Sequence, residues 1–108
     1  MNETANYQLT IIVPVYNEED NMQRLEEELS AFLRISSRPA CILFVNDGST
    51  DQSGKLIREI CDREAGFFYI TLSKNSGLSA AMKAGIDATF SPWLGYIDAD
   101  LQTDPEDF

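Results

Sequence analysis

Four short apolar runs, separated by segments of helical period, restrict the fold of this chain more than any other feature. The first runs from Leu9 and reads Leu-Thr-Ile-Ile-Val before Pro14. It is rich in β-branched residues and lacks the alternation of a half-exposed strand, so it predicts a strand over 9–13 covered on both faces and ended by the proline. Asn17 is placed to cap the next helix, with Glu18, Glu19 and Asp20 in its first turn and Met22, Leu25, Leu29 and Phe32 at helical spacing to about residue 34. Residues 41–45 predict a second buried strand, ended by the turn-forming string Asn46 to Asp51. A second amphipathic helix follows, with Leu56, Ile57, Ile60 and Cys61 inward. Residues 67–72 repeat the strand pattern, a polar loop 73–77 leads into an alanine-rich helix over 78–88, and 93–97 is the fourth strand.

Strands separated by single helices pair in parallel through right-handed crossovers, so this order predicts an α/β fold: a Rossmann-like doubly wound parallel sheet. Parallel strands end on one edge. The loops after Val13, Val45, Leu72 and Ile97 therefore converge where open α/β sheets bind ligands.

Length and charge narrow the function. With 108 residues, 44% of them hydrophobic and 24% charged, the chain is long enough for one soluble core and is expected to form part of a single domain. The formal net charge of −10 would repel a nucleic-acid backbone, which makes nucleic acid an unexpected partner. The N-terminal residues lack the pattern of a secretion signal, and no stretch approaches a membrane span, so the sequence predicts a cytoplasmic chain. Cys41 and Cys61 have no CxxC spacing and there is no histidine, which argues for two reduced thiols and against zinc or a Cys/His nucleophile. Asp104, Pro105, Glu106 and Asp107 read as the start of a helix that Phe108 leaves unfinished. A fragment of a larger domain is expected.

The convergent loops carry the chemistry. Asp98 and Asp100, two apart at a strand end, could place two carboxylates and the Gln102 amide oxygen around one point, an oxygen set suited to Mg²⁺ or Mn²⁺. The same Asp-x-Asp is also compatible with an acidic, solvated turn. Neither Gly-x-Gly-x-x-Gly nor a P-loop is present, so a diphosphate at this acidic edge would be held through a cation. Asp47, in a Gly/Ser-rich turn, could accept from a nucleobase N–H or a ribose hydroxyl, or could simply build the turn. Tyr16 could stack on a base or belong to the core.

Together the strings Val13-Pro14-Val15-Tyr16-Asn17-Glu18, Val45-Asn46-Asp47-Gly48-Ser49-Thr50-Asp51, Asn75-Ser76-Gly77-Leu78-Ser79-Ala80-Ala81 with Gly85, and Asp98-Ala99-Asp100 resemble the successive motifs of family 2 glycosyltransferases of the GT-A fold. The resemblance runs from Leu9 to Pro105 and covers about the first half of a typical catalytic domain, the nucleotide-sugar-binding half. It implies that Pro14, Tyr16 and Glu18 line a nucleoside pocket, that Asp47 contacts the base, and that Asp98 and Asp100, with Gln102, engage the ribose, the diphosphate and Mg²⁺ or Mn²⁺. The Asp-Leu-Gln-x-Asp-Pro string from Asp100 to Pro105 looks most like the branch acting on polyprenyl phosphates, the dolichol-phosphate mannosyltransferase and bactoprenol glucosyltransferase types. The resemblance thus implies a UDP- or GDP-sugar donor, a polyprenyl-phosphate acceptor and a parent at the cytoplasmic membrane face. Asn46 stands where many relatives carry Asp, and Met82 where many carry Arg.

The implied reaction is an inverting transfer. A general base, where a hydroxyl acceptor needs one, is expected beyond Phe108, so the isolated chain is expected to be inactive. Two other classes fit parts of the pattern. A Mg²⁺-binding receiver domain would want an acceptor Asp after the third strand, where Ser73 and Lys74 stand. A non-catalytic nucleotide-binding module would keep the half-fold and lack turnover.

Overall fold

The structure, a computed structural model, describes residues 2–99. Four strands form one parallel sheet: β1 (Leu9–Val15), β2 (Ala40–Asn46), β3 (Phe67–Thr71) and β4 (Trp93–Tyr96), in the spatial order β3-β2-β1-β4. Between them lie α1 (Met22–Ile35), α2 (Ser53–Arg63) and α3 (Leu78–Ala88). The helices divide between the faces. On one, α1 and α2 cover a core built on Ile11, Val13, Ile42, Phe44, Leu25, Leu29, Ile57 and Ile60. On the other, α3 covers Ile12, Leu43 and Val45 through Ala81. Burial on both faces explains why β1 and β2 read as continuous apolar runs. Close approach by α3 depends on Gly85, where a Cβ would come within 2.8 Å of Ile12 Cγ2.

Strand β4 departs from that reading. It is an edge strand with Trp93, Leu94 and Tyr96 exposed, because α3 lies over β1 and β2 and does not cover it.

Strand β1 does not stop at Pro14 as its sequence predicts. In a parallel strand the N–H and C=O groups of a residue face the same neighbour, and successive residues alternate. The Ile12 carbonyl accepts from the Ile97 N–H on the β4 side, and the Val15 carbonyl accepts from the Asp47 N–H on the β2 side. The N–H that Pro14 lacks would therefore face β4, just past the last paired register, Ile12 with Tyr96. Pairing with β2 continues to Val15 and Asn46. A proline is tolerated here because it removes no donor from the β1–β2 ladder.

The first helix also starts differently. Residues Glu19–Asn21 form a 3₁₀ turn, α1 begins at Met22, and no side chain caps it. Asn17 is not a cap. It adopts φ 51°, in the left-handed region, and its side chain is committed to residues 50 and 51. At the other pole, the N-terminal 3₁₀ turn Asn2–Asn6 is held by Thr4, whose hydroxyl accepts from the Phe90 N–H at 2.9 Å.

Candidate functional site at the switch point of the sheet

The chain runs outward from β1 to β2 to β3 and then returns to place β4 beside β1. This reversal makes the C-terminal ends of β1 and β4 the switch point of the sheet, where crossovers diverge and leave a crevice. Pro14, which has no N–H to continue the β1–β4 ladder, stands at the mouth of that crevice. A cleft of about 210 Å³ lies there, lined by Pro14, Val15, Tyr16, Glu18, Asp47, Leu78, Asp98 and Ala99.

All five residues expected to bind a nucleotide-sugar therefore share one cleft: Pro14, Tyr16 and Glu18 from the β1 loop, Asp47 from the β2 loop and Asp98 after β4. Tyr16 is 45% exposed and lines the cleft, so it is not a core residue. Val15, Leu78 and Ala99 also line the cleft; they fall within the motif strings, but the sequence assigned them no role. Leu78, the first residue of α3, is 57% exposed, and its signal was its position directly after the third convergent loop.

Asp47 is buried and its carboxylate is heavily used. Its Oδ1 accepts from the Ser76 N–H at 2.8 Å, and its Oδ2 accepts from the Gly77 N–H at 3.1 Å and the Asn75 Nδ2 at 3.3 Å. Asp47 thus ties the β2 loop to the loop that starts α3. A carboxylate offers about four acceptor positions, so these three bonds leave room for one more donor. Gly48, at φ 70°, makes the close approach possible, since a Cβ there would overlap the backbone of Lys74 and Asn75.

The β1 and β2 loops are also tied together. Asn17 Oδ1 accepts from the Thr50 N–H at 2.8 Å and the Asp51 N–H at 3.3 Å, while the Asn17 N–H donates to Ser49 Oγ at 3.0 Å. The Glu18 N–H donates to Ser53 Oγ at 2.8 Å. Glu19 adds two further bonds across the same seam, its N–H donating to Asp51 Oδ2 and its Oε2 accepting from the Gln52 N–H. Asp51 loses some solvation, but the hydrogen bonds from Ser53 together with those from the Glu19 and Asp51 N–H groups outweigh that and lower its carboxyl from its ordinary value.

The two departures from the family pattern have local explanations. Asn46 Oδ1 accepts from the Ser49 N–H at 3.0 Å, so the amide builds the turn as a carboxylate would. Met82 is half-buried against the α3-side core and supplies packing, not a cation. Lys83 pairs with Asp87 at 2.7 Å.

A larger groove, about 630 Å³, lies between α1 and α2 and is lined by Glu26, Glu27, Arg34, Arg63 and Glu64 among others. No strand end opens into it, and Arg63 is held by Glu26 in a two-point ion pair at 2.6 and 3.0 Å. It is a surface groove between helices.

For a divalent cation, the carboxylates of Asp98 and Glu18 along the cleft are hard oxygen donors of the right type. Among the described residues no group of three or more Cys, Asp or Glu forms a metal site. Asp100 and Gln102, the other two expected ligands, and the helix start at Asp104 to Asp107 lie outside the described residues. Cys41 and Cys61 are free thiols, the first buried and the second half-buried. No helix among the described residues is long and apolar enough to cross a membrane.

An open, doubly wound sheet with a carboxylate-bearing cleft at its switch point defines a ligand-binding α/β domain of the Rossmann-like type. Residues 10–108 match the family described as glycosyl transferase family 2, and the chain belongs to that family. It is 33% identical over 100 residues to an undecaprenyl-phosphate 4-deoxy-4-formamido-L-arabinose transferase of Yersinia enterocolitica, covering 92% of this chain and 31% of that protein. It is 35% identical over 101 residues to a dodecaprenyl-phosphate galacturonate synthase of Rhizobium johnstonii, covering 93% of this chain and 30% of that protein. The chain thus spans about a third of the length of these relatives. Among solved structures, the mannosyltransferase PcManGT from Pyrobaculum calidifontis, in complex with GDP-Man and Mn²⁺, superposes with a TM-score of 0.70 at 21% identity, covering 87% of this chain and 28% of that one. The parallel sheet with its flanking helices is the GT-A arrangement.

Proposed function

We propose that this chain is the donor-binding part of an inverting glycosyltransferase that moves a sugar from a UDP- or GDP-sugar to a polyprenyl phosphate. The observation that carries the reading is the shared cleft: Pro14, Tyr16, Glu18, Asp47 and Asp98 come from three separate loops and line one crevice at the switch point. Two relatives named for polyprenyl-phosphate substrates support the acceptor. The GDP-Man and Mn²⁺ in the complex of the mannosyltransferase support the donor class and the cation.

In this reading Tyr16 stacks on the nucleobase, and the acceptor position left on Asp47 takes a base N–H. Glu18 and Pro14 shape the nucleoside wall, and Asp98 faces the ribose and diphosphate. Asp98, Asp100 and Gln102 would hold Mg²⁺ or Mn²⁺, which supplies Lewis acidity to offset charge on the departing nucleoside diphosphate. The acceptor oxygen forms a bond to the anomeric carbon as the bond from that carbon to the diphosphate oxygen breaks, and the electron pair leaves with the diphosphate. A phosphate acceptor is already ionised near neutral pH and needs no general base from this chain. A polyprenyl acceptor would place the parent enzyme at the cytoplasmic membrane surface.

At about 210 Å³ the cleft is smaller than a typical ligand pocket of roughly 300–1,000 Å³, which fits one wall of a site completed by the rest of a longer domain. The isolated chain should accordingly bind nucleotide and transfer no sugar. Calorimetric titration with UDP, GDP and ADP, with and without Mn²⁺, tests the reading. Metal-dependent binding of one nucleotide that Asp98→Ala and Asp100→Ala abolish is the expected result. Equal, metal-independent binding of all three would overturn it.

A further inference from the structure

The geometry points to Asn17 as a positioning residue that sets the two walls of the cleft against each other. Resting on the nucleotide-sugar reading above, it gives a role to a side chain outside the expected contacts. Asn17 is exposed and lies outside the cleft lining, yet it stands between Tyr16 and Glu18, both of which line it. Its Oδ1 accepts from Thr50 and Asp51 in the loop that carries Asp47. The β1 wall is thereby fastened to the β2 wall by a group that need not touch the ligand.

Two properties of asparagine are used at once. Its backbone, at φ 51°, is in a conformation that most L-residues adopt only with strain and that asparagine and glycine accept readily. Its side-chain oxygen meets two backbone N–H groups that would otherwise have to find water. Because the residue is exposed, replacing it removes little packing, so its effect on the site separates from its effect on the core. Without the Asn17 oxygen the seam keeps its bonds from the Asn17, Glu18 and Glu19 N–H groups and at Glu19 Oε2, but the Thr50 and Asp51 amides lose their anchor. The part of the loop thereby loosened would have to be ordered when ligand binds, and that entropy would appear as lost affinity.

Three variants separate these properties. Asn17→Gly keeps the backbone conformation and removes the acceptor. Asn17→Asp keeps both. Asn17→Ala loses both. In the full chain with Mn²⁺ and UDP or GDP, Asn17→Gly should bind about tenfold more weakly, close to 1.4 kcal/mol, while its thermal midpoint stays near that of the unsubstituted chain. Asn17→Asp should recover most of the affinity, and Asn17→Ala should lose both affinity and stability. Undiminished binding by Asn17→Gly, or binding by Asn17→Asp as weak as that of Asn17→Gly, would overturn the inference.

If the unsubstituted chain binds neither nucleotide, the nucleotide-sugar reading fails and amide hydrogen exchange decides the role of Asn17. Faster exchange in Asn17→Gly at Thr50 and Asp51 that extends to Glu18 and Asp47 supports it. A change confined to Thr50 and Asp51 overturns it.

Discussion

Asp47 and Gly77, 30 residues apart in sequence, are joined by a hydrogen bond of 3.1 Å from the Gly77 N–H to the Asp47 carboxylate, beside a second at 2.8 Å from the Ser76 N–H. This pair fixes the end of β2 to the start of α3. The result is that a residue expected to read a nucleobase also holds the helix forming part of the cleft wall.

Asp47→Asn should therefore destabilise the chain even without ligand. An amide can accept from one of the two backbone N–H groups but turns its own NH₂ toward the other. Hydrogen bonds to a charged group contribute about 1.5–3 kcal/mol, and a loss of about 2 kcal/mol in urea unfolding is expected. Amide exchange should quicken at Ser76 and Gly77.

Much of the fold was legible because its strongest signals are local. The runs at 9–13 and 41–45 are apolar on both faces because helices cover both, and their order alone fixes the direction of pairing. What was missed depends on partners far along the chain. Asn17 looks like a cap from its neighbours, and only folding brings Thr50 and Asp51 to its side chain. Pro14 looks like a strand end because sequence does not reveal which neighbour its missing N–H faces. The exposure of Trp93 and Tyr96 follows from where α3 docks, which a strand pattern does not encode. The cleft residues were legible as a set because parallel strands send their following loops to one edge, whereas Leu78 carries no chemical mark.

Gly48→Ala tests the contact between the second and third loops. The new methyl group would meet the Lys74–Asn75 backbone, and φ 70° is costly for alanine by roughly 1–2 kcal/mol even in open space. A loss of about 2–3 kcal/mol is expected, which for a domain of this size lowers the thermal midpoint by roughly 10 °C or more.

Burial pushes the Cys61 thiol up to about 12 from the ordinary 9.0, and the neighbouring Asp62 carboxylate adds to the shift. At pH 8 its alkylation by iodoacetamide should be slower than that of a free thiol by roughly 1,000-fold, the ratio of thiolate populations over three pH units. The sign for stability follows from a raised folded-state value. The contribution is intact below pH 9, where the thiol is protonated in both states, and is lost as the pH rises toward 12, because the unfolded chain releases its proton first. Cys61→Ser should flatten that alkaline limb in urea titrations at pH 9 to 11.

Pro14→Ala asks whether the missing N–H keeps the cleft open. Alanine supplies a donor facing β4 just beyond the register of Ile12 with Tyr96, so the β1–β4 ladder can extend toward Asp98. Replacing proline frees the unfolded chain at a cost of about 0.4–1 kcal/mol, and a new hydrogen bond returns about 1 kcal/mol. Global stability should thus change by less than about 1 kcal/mol, the difference of these terms. The site should respond more. Drawing the end of β4 against β1 narrows the crevice between Pro14 and Asp98, and Mn²⁺-dependent nucleotide affinity should fall about fivefold, near 1 kcal/mol. Slow exchange of the backbone amide that the substitution introduces would show that the ladder has lengthened. Fast exchange with unchanged affinity would show that the crevice is held open by the crossover geometry alone.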